Sequence, residues 1–159
     1  MNIKIICIGK LKESYLISGI QEYSKRISKY ANLEIIELQD EPIPDSPSEK
    51  QILAIKQKES EKILKYVKPN DFIFTLDLTG KQLSSEEFAE KIQDITLKGF
   101  STITFIIGGT AGLDKKLVTN SHFVLSFSKL TFPHQLIRFF LTEQLFRCFK
   151  IINHERYHW

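Results

Sequence analysis

The sequence predicts an α/β fold three layers deep, with helices on both faces of a mostly parallel sheet. Five short runs rich in β-branched and apolar residues recur along the chain, each bounded by glycine or polar residues. Helical periodicity fills most of the intervals between them. Connections this short, leading from strand to helix and back to strand, make βαβ units whose strands run parallel. With 159 residues, 42% of them hydrophobic, the chain is sized for a single domain, residues 1–159, with one substantial core.

The first strand is Ile3 to Ile8 (IKIICI), continuously apolar but for one lysine and stopped by Gly9, as a buried parallel strand should be. From about Ser14 to Lys29 the residues Tyr15, Leu16, Ile20, Tyr23 and Ile27 fall on one helical stripe, with Lys25, Arg26 and Lys29 at the end that complements the helix dipole. Leu33 to Leu38 is the second strand. Pro42, Pro44 and Pro47 then exclude helix or central strand, so Gln39 to Ser48 is an exposed loop. Ser48 and Gln51 form a capping box for a lysine-rich helix striped by Ile52, Leu53, Ile55, Ile63 and Leu64 that ends before Pro69.

Asp71 to Leu78 is the third strand, closed by a turn at Thr79-Gly80-Lys81. Ser84 and Glu87 make a second capping box, and Leu83 with Phe88 a hydrophobic staple, so a helix runs to Lys98 and stops at Gly99. Ser101 to Ile107 is the fourth strand. It leads into Gly108-Gly109-Thr110-Ala111-Gly112, after which Asp114 caps a short helix to about Asn120. His122 to Leu125 is a brief fifth strand. The polar loop Ser126 to Thr131 precedes Phe132-Pro133, and proline in a first helical turn starts the last helix without loss of a hydrogen bond.

That last helix is apolar around most of its circumference, through Leu136, Ile137, Phe139, Phe140, Leu141, Leu145, Phe146, Cys148 and Phe149. Arg138, Glu143 and Arg147 interrupt it. Charges on so apolar a helix need a partner or a ligand, and Glu143 with Arg147 at i,i+4 supplies one pair. The net charge of +3 is too mild to name a partner by itself. Its distribution is more telling, because Lys129 to Trp159 holds five cations against two acids, with His134, His154 and His158 beside them. This end of the chain can face an anion.

Cys7 and Cys148 stand alone inside apolar runs and read as small buried hydrophobes in a reducing cytoplasm. Lysines and arginines break every run long enough to span a bilayer, so no membrane association is expected. In parallel sheets ligands bind outside the carboxyl ends of the strands. The loops there are Leu76 to Lys81, Gly108 to Gly112 and Ser126 to Phe132. The glycines permit close backbone approach to a flat polar ligand, but G-x-G-x-x-G is absent, as are a P-loop and a G-x-S-x-G elbow. His154-Glu155-Arg156-Tyr157-His158 satisfies H-E-x-x-H, yet a zinc hydrolase needs that pattern inside a stable helix, and here it stands at the very end of the sequence.

Five blocks in order, LDLTGK at Leu76 to Lys81, IIGGTAGL at Ile106 to Leu113, LSFSKLTFPHQLIR at Leu125 to Arg138, EQLFR at Glu143 to Arg147 and YH at Tyr157-His158, resemble the RlmH family of SPOUT methyltransferases. The likeness spans the chain, with departures at Thr110-Ala111, Phe146 and Trp159. It implies a trefoil knot within about 71–159, an exception to the rule that chains do not thread loops. It also implies methylation of N3 of a pseudouridine in a 23S rRNA stem-loop, on the assembled ribosome, with S-adenosyl-L-methionine as methyl donor. The cofactor cradle carries over to Leu76, Gly108, Gly109, Ser126, Phe127, Ser128, Lys129, Leu130, Thr131 and Phe132. Substrate contacts carry over to His134, Arg138, Arg147, Tyr157 and His158, and the catalytic set to Glu143, Arg147, Tyr157 and His158. In this set Arg147 meets phosphate or uracil carbonyl, Glu143 orients it, Tyr157 and His158 hold the base, and His158 accepts the proton. A homodimer packed through the last helix would cover Phe139, Phe140, Phe146 and Phe149, and no metal is implied. The competing readings are a ribosome-associated module that binds without catalysis and a zinc hydrolase using His154 and His158.

Overall fold

The computed structural model describes residues 1–157. Strands β1 (Asn2–Ile8), β2 (Asn32–Leu38), β3 (Asp71–Lys81), β4 (Thr102–Ile107) and β5 (Phe123–Leu125) form one sheet in the order β2-β1-β4-β3-β5, every neighbouring pair parallel. Helices α1 (Ser14–Ile27), α2 (Glu49–Leu64), α3 (Ser85–Leu97), α4 (Lys115–Thr119) and α5 (His134–Ile152) complete the three layers. All five carboxyl ends therefore meet at one edge.

The two-residue alternation of the strands divides the core. On one face Ile3, Ile5, Cys7, Phe72, Phe74, Ile103, Phe105 and Ile107 pack beneath α1, α3 and α5. On the other, Ile6, Ile8 and Ile106 meet Ile63 of α2 and Leu117 of α4. Both capping boxes form, Ser48 with Gln51 and Ser84 with Glu87. Burial lifts both cysteine thiols to about 12, so they stay protonated and inert.

Two boundaries differ from the sequence expectation. β3 does not turn at Thr79 but continues to Lys81, because Lys81 pairs with Leu125 after a register shift beyond Leu76. Asp77 Oδ1 absorbs that irregularity by accepting from the amide (2.9 Å) and hydroxyl (2.6 Å) of Thr79. Gly80 lets the two backbones touch, since a Cβ there would lie 2.7 Å from the Val124 carbonyl oxygen. Pro133 is the N-cap of α5 rather than its first residue: its ψ of 135° is extended, and its carbonyl accepts from Leu136 (2.9 Å) and Ile137 (3.1 Å).

α5 lies between α1 and α3, close to α1 because Gly19 leaves room; a Cβ at Gly19 would stand 2.4 Å from Phe139 Cε2. Phe146 and Phe149 are not surplus surface. Both are buried in the chain's own core, where Phe149 stacks on Tyr30 (5.6 Å) and Phe146 packs against Tyr23 (6.1 Å). Phe139 is half-buried, and Phe140 is exposed. Among the described residues no helix is long and apolar enough to cross a membrane.

At the opposite edge of the sheet, Lys4 Nζ meets Asp71 Oδ2 at 3.0 Å inside the core, and the same oxygen accepts from Thr104 (2.9 Å) and the Lys68 amide (3.1 Å). Burial alone would raise the Asp71 pKa, but these donors outweigh it and hold the carboxyl below its usual range. A depressed carboxylate stabilises the fold above the ordinary aspartate range and loses that contribution as pH falls through the folded value. Asp71→Ala strands a buried ammonium. It should cost about 3–5 kcal/mol in urea unfolding, and a loss under about 1 kcal/mol would contradict this reading.

Candidate active site

The ends of β3, β4 and β5 open into a cavity of about 780 Å³. Leu76 to Thr79, Ile107 to Leu113, Leu125 to Ser128 and Leu130 to His134 line it, together with Ile137. Its size is that of a small-molecule site, and its walls are mostly apolar with convergent backbone groups. The β4 turn is built for close approach. Gly112 sits at φ +82° and donates to Gly109 O at 3.0 Å, while a Cβ on Gly109 would come within 2.7 Å of Ile8 Cγ2. Across the cavity Ser126, buried, donates its hydroxyl to Ser128 O (2.9 Å), and Ser128 Oγ accepts from the Leu130 amide (2.9 Å). The last loop thus holds its shape by its own hydrogen bonds.

Of the ten cradle residues named from the sequence, Lys129 alone does not line the cavity; its side chain is exposed. Asp77, Thr79, Thr110 and Ile137 do line it and were not named as cradle residues. Ile137 was legible as the residue one helical turn beyond Pro133 on the same face. His134 stands at the cavity wall beside Gly9, whose Cβ would lie 3.4 Å from His134 Nε2. Burial, and then the Arg138 charge, hold the imidazole below the ordinary histidine range, so it is neutral at neutral pH.

Arg138 is placed otherwise than as a substrate contact. Its side chain is 0% exposed; it pairs with Glu37 of β2 and donates to Gly9 O at 3.0 Å. The guanidinium is shut inside the chain, where its two terminal nitrogens fasten the loop after β1, and its Nε is buried without a hydrogen-bond partner among the described residues.

A second polar group forms at the far end of α5. Glu143 Oε1 accepts from Arg147 (2.7 Å) and from the Tyr157 hydroxyl (3.0 Å), and Oε2 accepts from Gln144 (2.6 Å). Ser85 of α3 donates to Gln144 Oε1 at 2.8 Å. Tyr157 returns along α5 so that its ring lies edge-on to Phe146 (5.0 Å) and under the Arg147 guanidinium (4.5 Å). Its hydroxyl is 3.4 Å from that of Tyr23. Burial first, then hydrogen bonds to Tyr23 and Glu143, raise the Tyr157 pKa, so the phenol stays protonated. Arg147 Nε is buried without a hydrogen-bond partner among the described residues, a donor left available. Tyr23 had no sequence signal, being 134 residues from Tyr157.

His134 and Arg147 are thirteen residues apart on one helix, or about 20 Å. The chain therefore brings the cradle residues together, and separately Glu143, Arg147 and Tyr157, but does not join the two groups. His158 lies outside the described residues. The H-E-x-x-H stretch follows the end of α5 at Ile152, and His154 is at φ +53°, so the helical spacing a zinc hydrolase requires is not formed. Among the described residues no three His, Cys, Asp or Glu side chains are grouped to hold a metal ion.

Residues 1–158 match the family described as "Predicted SPOUT methyltransferase". The chain belongs to the SPOUT methyltransferases. Within them it falls in the RlmH family: it is 56% identical, over 99% of both chains, to the ribosomal RNA large subunit methyltransferase H of Clostridium novyi (strain NT). It is 52% identical over the same shares to the protein of that name in Clostridium tetani (strain Massachusetts / E88). A solved structure, "a probable methylase family protein from Haemophilus influenzae Rd KW20", superposes with a TM-score of 0.53 over 99% of this chain and 70% of that one. At 15% identity that likeness speaks for the SPOUT fold alone.

One charge beneath the SPOUT cavity bears on stability. Glu59 of α2 is buried next to Gly109; its Oε1 accepts from the Glu41 amide (2.9 Å) while Oε2 has no partner among the described residues. Burial, only partly offset by that amide and by Lys62, raises its pKa. A raised carboxyl favours the protonated fold, so the contribution of Glu59 to stability is greatest at acid pH and falls as pH climbs from the ordinary glutamate value towards the folded one. Glu59→Gln should melt with the wild type near about pH 4 and above it near about pH 8; a gap that does not widen with pH would contradict this.

Proposed function

We propose that the protein transfers a methyl group from S-adenosyl-L-methionine to ribosomal RNA of the large subunit, at N3 of a pseudouridine in a 23S stem-loop, within the assembled ribosome in the cytoplasm. The observation that carries this is the full-length agreement with relatives named ribosomal RNA large subunit methyltransferase H. The cavity fits the cofactor: its size, its mostly apolar walls and the backbone groups of the Gly108 to Gly112 and Ser126 to Phe132 loops suit a flat polar ligand held by main chain. Leu76, Gly108, Gly109 and that loop, with Lys129 at its exposed margin, hold it. When bound, S-adenosyl-L-methionine supplies an electrophilic methyl group.

The chain's residues do the remaining work by position and charge. Arg147, oriented by Glu143, meets a phosphate or uracil carbonyl of the substrate. Tyr157, its hydroxyl fixed by donation to Glu143, offers its ring to the base, which it holds with His158, and His158 accepts the N3 proton. Neutral His134 borders the incoming nucleotide. Arg138 acts one step removed, by fixing the loop beside His134.

Two copies are required. The 20 Å between His134 and Arg147 leaves each copy with half a site, and packing α5 against α5 lets the Arg147 end of one copy complete the cavity of the other. The exposed Phe140, its ring 5.5 Å from that of Phe132, and the exposed Leu130 support an apolar seam at that end of the helix. The trefoil knot belongs to the same reading.

Calorimetric titration should give one S-adenosyl-L-methionine per chain; no binding would favour a module without catalysis. Arg147→Ala should keep that affinity yet slow methyl transfer to ribosomes by about 10²-fold, and an undiminished rate would remove Arg147 from the site. An undiminished rate in His158→Ala would exclude His158 as proton acceptor. Mass spectrometry of 23S rRNA from cells lacking the gene should show one methyl group missing from a pseudouridine.

A further inference from the structure

We infer that the loop between β1 and α1, Gly9 to Glu13, is a preformed phosphate grip for the RNA substrate, with Lys10 and Lys12 as its contacts. The inference rests on the reading of the adjoining cavity as an RNA methyl-transfer site.

The loop is held far more firmly than an ordinary surface connection. Gly9, at φ +87°, donates to Leu38 O (2.7 Å) and accepts from the buried Arg138 (3.0 Å). The Leu11 amide donates to Glu37 Oε1 (2.9 Å), the same carboxylate that pairs with Arg138. The Lys12 amide donates to Gln135 Oε1 (3.2 Å) on the first turn of α5. Three amides and one carbonyl of the loop are thus anchored to β2 and α5. A fully buried guanidinium is costly to desolvate, so its use here fixes something.

What the anchors present is charge. Lys10 and Lys12 are both exposed, and neither makes an ion pair among the described residues. The loop that carries them abuts His134, which lines the cavity. The nearby acids are Glu37, neutralised by Arg138, Asp40, whose charge acts on His134, and the exposed Glu13. Backbone held in place beside a wall of the proposed base-modifying cavity, with its ammonium groups unpaired among the described residues, suits the phosphates flanking an extruded nucleotide. Such contacts set register without reading sequence.

The test uses the full-length protein, large ribosomal subunits and 70S ribosomes from cells lacking the gene, and labelled S-adenosyl-L-methionine. In Lys10→Ala/Lys12→Ala the KM for ribosomal substrate should rise about tenfold, and the plot of log(1/KM) against log[salt] should flatten by about 1.5 units, as expected for two lost phosphate contacts. Cofactor affinity should be unchanged and kcat should stay within about twofold. Lys10→Arg/Lys12→Arg should restore the salt slope, which a merely structural role would not require. A wild-type KM and slope in the double alanine variant, or a fall in kcat with KM unchanged, overturns the inference alone. A wild-type protein that methylates neither substrate overturns the functional reading and this inference together.

Discussion

An α-helix rises about 1.5 Å per residue, and that figure governs how this molecule can work. α5 begins at the cavity wall with His134 and ends beyond Arg147, so the cavity and the Glu143–Arg147–Tyr157 group sit at opposite ends of one rigid rod. Its middle is locked by Leu141, Leu145 and Phe149 against the sheet and by Gly19 against α1, so it cannot fold back. On the proposed reading a second copy brings the two ends together. Most other features follow from how that helix is seated.

Its polar interruptions divide by what surrounds them. Arg138 is wholly enclosed and meets Glu37 and the Gly9 carbonyl, so it ties α5 to the ends of β1 and β2. Arg147 is only partly enclosed, carries one carboxylate and one aromatic face, and keeps a buried Nε–H without a partner among the described residues. Both guanidinium groups leave their Nε–H without a partner among the described residues; exposure separates them, since Arg138 is shut inside the chain and holds a loop, whereas part of the Arg147 side chain reaches the surface, where a planar anion or carbonyl can meet it.

The fold was legible almost to its boundaries, because period-two and period-3.6 patterns, two capping boxes and the glycine stops all agree. What escaped was set by pairing across the chain. β3 runs past Thr79 because β5 offers Lys81 a partner, and nothing within LDLTGK announces that. Phe146 and Phe149 looked like interface because the helix is apolar all round, whereas Tyr23 and Tyr30 of the first fifty residues cover them. Arg138 looked like a substrate contact since its partner Glu37 lies 101 residues away. The loops of LDLTGK, IIGGTAGL and the serine-rich segment were legible as neighbours lining one cavity, because turns there are local and glycine is needed where backbone must approach. Tyr23, Gln144 and Ser85, which brace Glu143 and Tyr157, carried no such local mark.

A mixing experiment tests the shared site most directly. Gly109→Val, which drives a side chain into the buried Ile8 and so displaces the Gly108 to Gly112 loop that lines the cavity, and Arg147→Ala, which strips the other half, should each be nearly inactive alone. Mixed in equal amounts and allowed to exchange subunits, they should recover about a quarter of wild-type methyl transfer, since half the dimers would hold one intact site of two. A mixture no more active than the sum of its parts, with subunit exchange verified, would contradict the account.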